Sequence, residues 1–475
     1  MELEMADTKQ DIDLLDLFSH GVDERIYVTG DDNVKYGMSL FNDNVINRGS
    51  CTASPVSPEL VEISNVLLNT CKTDADWDHI RGLQYERLKD YLSLTLNDDF
   101  QIVYGPSGTD LMYLPMIFSK VISPEKPILN VVTCLEEIGS GGRLAAQGQY
   151  HAEYNQFNEP IPKGEFIYPD LDMETIFLKA RTEEGYIHDP EQDIIDQIAK
   201  HPDHSIIVNL VYGSKSGIED NLSIIDKVKA NNVIWNVDFC QFRHDREVIT
   251  YLLNRNAMVM VTGSKFYQAP PFCGAMLIPN KLTGQLSRNS NLEIINHFDK
   301  VFSTLDFPRI IRKQIQLPHQ TNISNILRWE GALDEINRYN EYDQDFAQEK
   351  MVAWNTAVNS FLEEHSEFFE IMPNAEMTNN TIISFRVKYN GVYMGHDELI
   401  AYHQFLVNQN YDEHGWNRIF VGQPVAYMDK SFLRLAIGSR SVRKFMDRDE
   451  KEFDDDAKII DIMIEQLKAF HEHKQ

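Results

Sequence analysis

The sequence predicts an α/β protein, with a large domain on a mainly parallel sheet and a smaller α/β domain after it. Three observations carry this expectation. Between residues 100 and 280, seven apolar strand-like runs alternate with helical patterns, as strands joined by crossover helices do. Polar motifs sit at the ends of several of these runs. Around residue 285 the pattern breaks, and a second alternation of strand and helix follows further on.

The runs read as strands are 100–104, Ile128–Val132, 175–179, Ser205–Val211, 233–237, 258–261 and 275–278. Helical periodicity precedes them over 58–69 and 77–96. Residues 286–305 are polar and rich in asparagine. Residues 320–365 read as one long helix or two, with Ile323, Ile326, Leu327, Leu333 and Ile336 at helical spacing. Beyond lie a strand at 381–387, a helix at 396–408, and strands at 418–421 and 432–437. A helix over 455–471 closes the chain; Ile459, Ile460, Met463, Ile464, Leu467 and Phe470 form its apolar face. The acidic run at 447–456 reads as a solvated helix start, where acidic side chains suit the dipole. The division implied is an N-terminal arm over 1–40, a large domain over 41–285 and a small domain over 286–475.

Composition narrows the function. The chain has 475 residues, 43% hydrophobic and 25% charged, which is ordinary for a globular protein with a sizeable core. Its formal net charge of −29 argues against nucleic acid or an anionic membrane surface as partner. The five cysteines are scattered, with no CxxC pair, so they are expected as reduced thiols and no metal site is expected. The N-terminus is acidic without an apolar segment, and no run approaches a membrane span. A cytoplasmic protein is the expectation.

Three motifs carry chemistry. Tyr104-Gly105-Pro106-Ser107-Gly108-Thr109-Asp110 follows a strand and precedes a helical stretch. Such a turn points backbone N–H groups, with the Ser107 and Thr109 hydroxyls, at one place, and so makes a phosphate cradle; a plain βα turn is the simpler alternative. No Gly-Lys-Ser/Thr follows, which counts against a nucleotide P-loop. Asp238 stands at the end of a buried strand, where the ligand crevice of such sheets lies, unless it only caps a helix. Gln241 follows it. Lys265, in Thr262-Gly263-Ser264-Lys265, lies in a small polar turn between two apolar strands. That setting desolvates an amine and suits covalent catalysis, the alternative being an edge-strand surface lysine.

In their order along the chain, these motifs resemble the fold type I enzymes that use pyridoxal phosphate (PLP), and among them the class V aminotransferase group. Cysteine desulfurases and phosphoserine aminotransferases belong to that group. The resemblance implies that Lys265 forms the Schiff base and that Asp238 holds the pyridinium proton. It implies Ser107, Gly108, Thr109 and Ser264 at the phosphate, Gln241 at the phenolic oxygen, and Ser214, or else Lys215, as a further contact. It also implies a homodimer. Leu433-Arg434-Leu435 looks like the strand whose arginine grips the substrate carboxylate, with Arg440 as second candidate and a structural salt bridge as the alternative.

Two departures stand out. Where the group has an aromatic or histidine over the pyridine ring, this chain has Glu136 and Glu137, with His151 as a more distant source of an imidazole. No cysteine follows Cys273, which weighs against persulfide chemistry, and Ser264 stands where decarboxylases often have histidine. The expectation is an aminotransferase acting on an amino-acid-like substrate. A PLP-dependent lyase is the alternative, and a non-catalytic protein that keeps the fold is the rival from another class.

Overall fold

The computed structural model describes residues 13–28, 34, 40–41, 44–49, 54–92, 100–243, 246–373 and 379–473. The chain opens with a short helix, Leu14–Phe18, and a turn of 3₁₀ helix, Glu24–Ile26. Of the expected N-terminal arm, this described part is no loose tail: Phe18, Val22 and Ile26 are buried.

Strand β1 (Val45–Arg48) comes next, before any large-sheet strand. The large sheet then runs through β2 (Phe100–Gly105), β3 (Ile128–Val132), β4 (Met173–Phe177), β5 (Ser205–Val211), β6 (Val233–Asp238), β7 (Met258–Thr262) and β8 (Gly274–Pro279). Its order is β2-β8-β7-β6-β5-β3-β4. Only β8 runs against its neighbours; the other pairings are parallel. The expected mainly parallel sheet of seven strands is therefore what the chain forms, with the 175–179 run shifted by two residues.

Side chains alternate between the two faces of this sheet, as strand geometry requires. On β5, Ile206, Val208 and Leu210 enter one apolar cluster, and Ile207 and Val211 enter the other. β8 divides likewise: Ala275 and Leu277 on one side, Met276 and Ile278 on the other. Both faces are covered, so the strands read as unbroken apolar runs. Each fully buried Ile, Leu or Val contributes about 1.5–3 kcal/mol. Inside the sheet a polar ladder crosses three strands: Asn236 Nδ2 donates to Asn209 Oδ1 at 2.9 Å, and Asn209 Nδ2 to Asn130 Oδ1 at 2.7 Å. A register slip would bury these amides unpaired, so the ladder pins the pairing.

The stretch 320–365 is two helices, Ile323–Asn340 and Gln344–Glu364. Each starts on a capping side chain: Asn322 accepts from Asn325 N at 2.9 Å, and Asp343 from Phe346 N at 3.0 Å. The second sheet holds β9 (Phe369–Ile371), β10 (Ile382–Tyr389), β11 (Val392–Tyr393), β12 (Arg418–Tyr427) and β13 (Lys430–Ala436). Its outer strand beside β12 is β1, paired in parallel with Val45 against Arg418. The sequence places 41–285 in the large domain; the strand near its start belongs instead to the sheet of the C-terminal segment. Four residues of mixed polarity carry no readable period, which is why β1 escapes a pattern reading.

The closing helix, Asp454–His473, corrects a second expectation. Its acidic first turn is not wholly solvated. Asp456 is buried and paired with Arg48 of β1, at 2.6 Å to Nε and 2.8 Å to Nη2. Burial alone would disfavour the guanidinium charge, but Asp456 outweighs it and raises the Arg48 pKa. Removing one partner of such a pair strands the other charge in the interior. Asp456→Ala is therefore expected to lower stability by about 3–5 kcal/mol, read from urea unfolding. A loss below about 1 kcal/mol, the value of a surface pair, would show that the bridge is not buried in solution.

Candidate functional site

β2, β3, β5, β6 and β7 all run in one direction, so their carboxyl ends share one edge of the sheet. A cavity of about 140 Å³ lies there. The turn after β2 gives it Ser107, Gly108 and Thr109; the segment after β3 gives Glu137 and Ile138; the turn after β5 gives Ser214 and Lys215; the end of β6 and the residues past it give Asp238, Cys240 and Gln241; the end of β7 and the residues past it give Thr262, Ser264 and Lys265. Ligand crevices of open α/β sheets lie at such an edge.

The glycine turn is tightly built. Asp110 Oδ2 accepts from Ser107 N at 3.0 Å and from Ser107 Oγ at 2.7 Å. A Cβ at Gly108 would stand 2.6 Å from Cys240 Sγ, so only glycine lets the turn approach the end of β6. At the end of β6, Cys240 N donates to Asp238 Oδ1 at 2.9 Å. Burial pushes the Asp238 carboxyl up; the Cys240 hydrogen bonds and the charges of Lys265 and Lys215 offset part of that rise. Arg243 Nε holds Gln241 Oε1 at 2.9 Å, which leaves the Gln241 amide Nε2 as its donor to the cavity.

Lys265 is fixed by its loop and not by its own side chain. Gly263 N donates to Cys273 O at 3.1 Å, and Phe266 N to Gln241 O at 3.2 Å. A Cβ at Gly263 would lie 2.3 Å from Ala332 Cβ, so this glycine lets the loop pack on the Ile323–Asn340 helix. Among the described residues, no hydrogen bond or salt bridge ends on Lys265 Nζ. The donor set suits a ligand with an anionic group at one end, a basic ring nitrogen at the other and an electrophilic carbon between. PLP is such a ligand.

Several expected residues stand elsewhere. Glu136 does not line the cavity; its Oε2 accepts from Ala180 N at 2.9 Å. Glu137 does line it, but as a buried strut. Arg181 Nε lies 3.1 Å from its Oε1, and the Ser214 and Ser216 hydroxyls both donate to Oε2. Burial alone would raise the Glu137 carboxyl; Arg181 and the two serines outweigh it and hold it below the usual range. Ser214 lines the cavity, yet its O–H proton is committed to Glu137. His151 is no ring-stacking group for this cavity: its Nε2 sits 3.0 Å from Asp110 Oδ1, and Tyr113 stacks on it behind the turn.

The arginines differ most from expectation. Arg434 is buried and does not line the cavity. It donates to Gln423 O at 3.2 and 2.9 Å and to Lys215 O at 2.9 Å. Gln423 lies where the β12–β13 register shifts between Gly422 and Val425, a bulge that turns it to the cavity wall. Arg434 thus ties two walls together through backbone carbonyls. Arg440 lies 3.7 Å from Glu335 and also stands off the cavity. The sequence reading missed Arg25, Gln423 and Phe272, which line it. Arg25 sits in an unpatterned acidic segment, and only the fold brings it here.

No protein-family model matches the chain, and no curated protein is similar to it in sequence. Solved structures share its fold. Ureidoglycine-glyoxylate aminotransferase from Bacillus subtilis superposes with a TM-score of 0.55 at 13% identity, covering 90% of this chain and 93% of that one. Phosphoserine aminotransferase from Cytophaga hutchinsonii gives 0.55 at 13%, covering 85% and 99%. Oryza sativa TDC, solved with PLP and tryptamine, gives 0.55 at 11%, covering 92% and 84%. At such identity the likeness is one of fold: the chain has the fold type I architecture.

One buried acid at the site's edge makes stability depend on pH. Asp220 Oδ2 accepts from Val211 N at 2.7 Å and from Thr133 Oγ1, holding the end of β5. Burial pushes its carboxyl up to about 6. Between the unfolded value of about 4 and this one, the folded chain binds the extra proton, so Asp220 stabilises at low pH and that contribution is lost as pH rises from about 4 to about 6. Asp220→Asn keeps the acceptor without the charge. Its stability relative to the parent should grow by up to about 3 kcal/mol between pH 4 and 7, followed by urea unfolding. A constant difference across that range would place the titration elsewhere.

Proposed function

We propose that this chain is a PLP-dependent enzyme acting on an amino-acid-like substrate, and that it transfers the substrate's amino group. The observation that carries the proposal is the meeting in one cavity of Lys265, Asp238 and the turn Ser107, Gly108 and Thr109. When bound, PLP supplies an electron sink for negative charge developing at the substrate Cα. The rest falls to the side chains.

The Gly108 and Thr109 N–H groups and the Thr109 hydroxyl, with Ser264, would hold the phosphate, since Ser107 already gives its N–H and O–H to Asp110. Asp238 would stand against the ring nitrogen. Burial alone favours its neutral form, but a positive nitrogen beside it reverses that balance, so the proton stays on nitrogen. Lys265 Nζ would hold the cofactor through its aldehyde carbon, and as a free amine it would take and return the proton at the substrate Cα. The Gln241 amide would donate to the phenolic oxygen. Glu137 stays ionised and fixed on Arg181 and the serines, which keeps it out of proton transfer. Cys240 lines the cavity, but burial and then Asp238 push its thiol well above the ordinary range. A thiol held protonated is a poor nucleophile, which supports aminotransfer over sulfur chemistry. On the family resemblance, the same reading takes the working unit as a cytosolic homodimer, with neither nucleic acid nor membrane as partner.

Borohydride treatment of the PLP-loaded protein, followed by peptide mapping, should place the pyridoxyl group on Lys265. A label on Lys215, the other lysine of the cavity, would overturn that role. Asp238→Ala should fold and keep the label but lose at least ~10²-fold in turnover, as loss of a preorganised charge contact does.

The reaction type is read without an amino acceptor present. Aminotransfer should release one keto acid per site and stop, with the amino group retained on the enzyme. Continuous release of ammonia would instead establish a lyase.

A further inference from the structure

Arg25 is, among the described residues, the one guanidinium on the cavity wall. It comes from the 3₁₀ turn Glu24–Ile26, far in sequence from every other wall residue. Its Nη2 stands 3.4 Å from Ser107 Oγ, at the start of the glycine turn. Asp23 holds its outer edge, accepting from Nε at 2.7 Å and from Nη2 at 2.5 Å. The Phe272 ring lies 4.5 Å beneath it. Burial would raise the Asp23 carboxyl, but Arg25 outweighs it and keeps Asp23 below its usual range. The guanidinium is therefore charged, buried and fixed beside the hydroxyls of the turn.

The segment that carries Arg25 is itself anchored. Arg328 donates to Phe18 O at 2.6 Å and to His20 O at 3.1 Å. Ser324 Oγ donates to Leu17 O at 2.7 Å, and Asn322 Nδ2 to Gly21 O at 2.7 Å. These ties all come from the Ile323–Asn340 helix and its cap, the helix on which the Lys265 loop packs.

From this we infer that Arg25 is a cofactor-binding residue that delivers a positive charge to the phosphate. Residues 13–28 then form part of the cofactor site. The inference rests on the proposed PLP reading and adds a ligand that the strand-end motifs lack. Hydroxyl and backbone donors carry partial charge; a phosphate dianion in a largely buried site calls for a full one. The rival role, gripping the substrate carboxylate, would place Arg25 away from the glycine turn. Its contact with Ser107 favours the phosphate.

The test compares PLP with pyridoxal, which has the same ring and aldehyde and no phosphate. Binding of each is titrated spectroscopically to the parent, to Arg25→Lys and to the double variant Asp23→Asn/Arg25→Met, which removes both charges together. Thermal unfolding is followed alongside. The double variant should lose about 10- to 100-fold in PLP affinity, the range of a charge-assisted hydrogen bond, while pyridoxal affinity stays within about twofold. Arg25→Lys should recover most of the PLP affinity. Equal weakening of both compounds, or a variant that no longer folds while Arg25→Lys also binds PLP poorly, would reduce Arg25 to a structural role. Unchanged PLP affinity with a raised KM for the amino substrate would assign it to the carboxylate. A parent that takes up neither compound would sink the cofactor reading and this inference together.

Discussion

Everything chemical in this protein depends on strand direction. Parallel strands cannot turn back on themselves, so each must end on the same edge and hand the chain to a crossover. Six strands here point their carboxyl ends to one line, and five of them lead into the cavity. The residues just past those ends are freed from the ladder, and their side chains and N–H groups face a shared space. A carboxylate, a lysine and a glycine turn separated widely in sequence become neighbours with no special device. The apolar faces on either side hold the edge rigid, as close-packed interiors do.

That dependence explains what could be read beforehand. The large-sheet strands are continuous apolar runs, and the residue types at their ends are unusual for a surface. Strands, site edge and the meeting there of Lys265, Asp238 and the glycine turn were accordingly legible. What was not legible arises from packing between distant segments. A pattern of Leu-Arg-Leu says that Arg434 is buried, but not whether its fork faces a ligand or two main-chain carbonyls. Glu136 and Glu137 look alike in sequence; Arg181, forty-odd residues on, decides which turns inward. Nothing local marks Arg25, whose cavity neighbours Ser107 and Phe272 lie far along the chain, or β1, whose partner strand lies near its other end.

Three buried ion pairs follow one rule. Glu137 with Arg181, Asp456 with Arg48 and Asp23 with Arg25 are each matched by an opposite charge in hydrogen-bond range. Such pairs are poor sources of net stability but strong determinants of geometry, because a displaced partner leaves a bare charge inside. Two of them stand at the cavity. The acidic excess of the whole chain is therefore no guide to the site, where the local balance is set pair by pair.

The parallel pairing of Val45 with Arg418 has a consequence for how the molecule comes into being. During synthesis the first strand leaves the ribosome with nothing to pair with until nearly the whole chain has followed. The sheet it joins is finished only then. Bringing such distant segments together costs little in equilibrium stability, since loop entropy grows slowly with length. It costs much in time, because distant contacts form late. In the interval the edge of β12 lies open, inviting the wrong strand. Birth of the native protein is thus coupled to its last-made third, and a nascent chain halted before that point has its large sheet's sequence complete but its N-terminal strand unhoused.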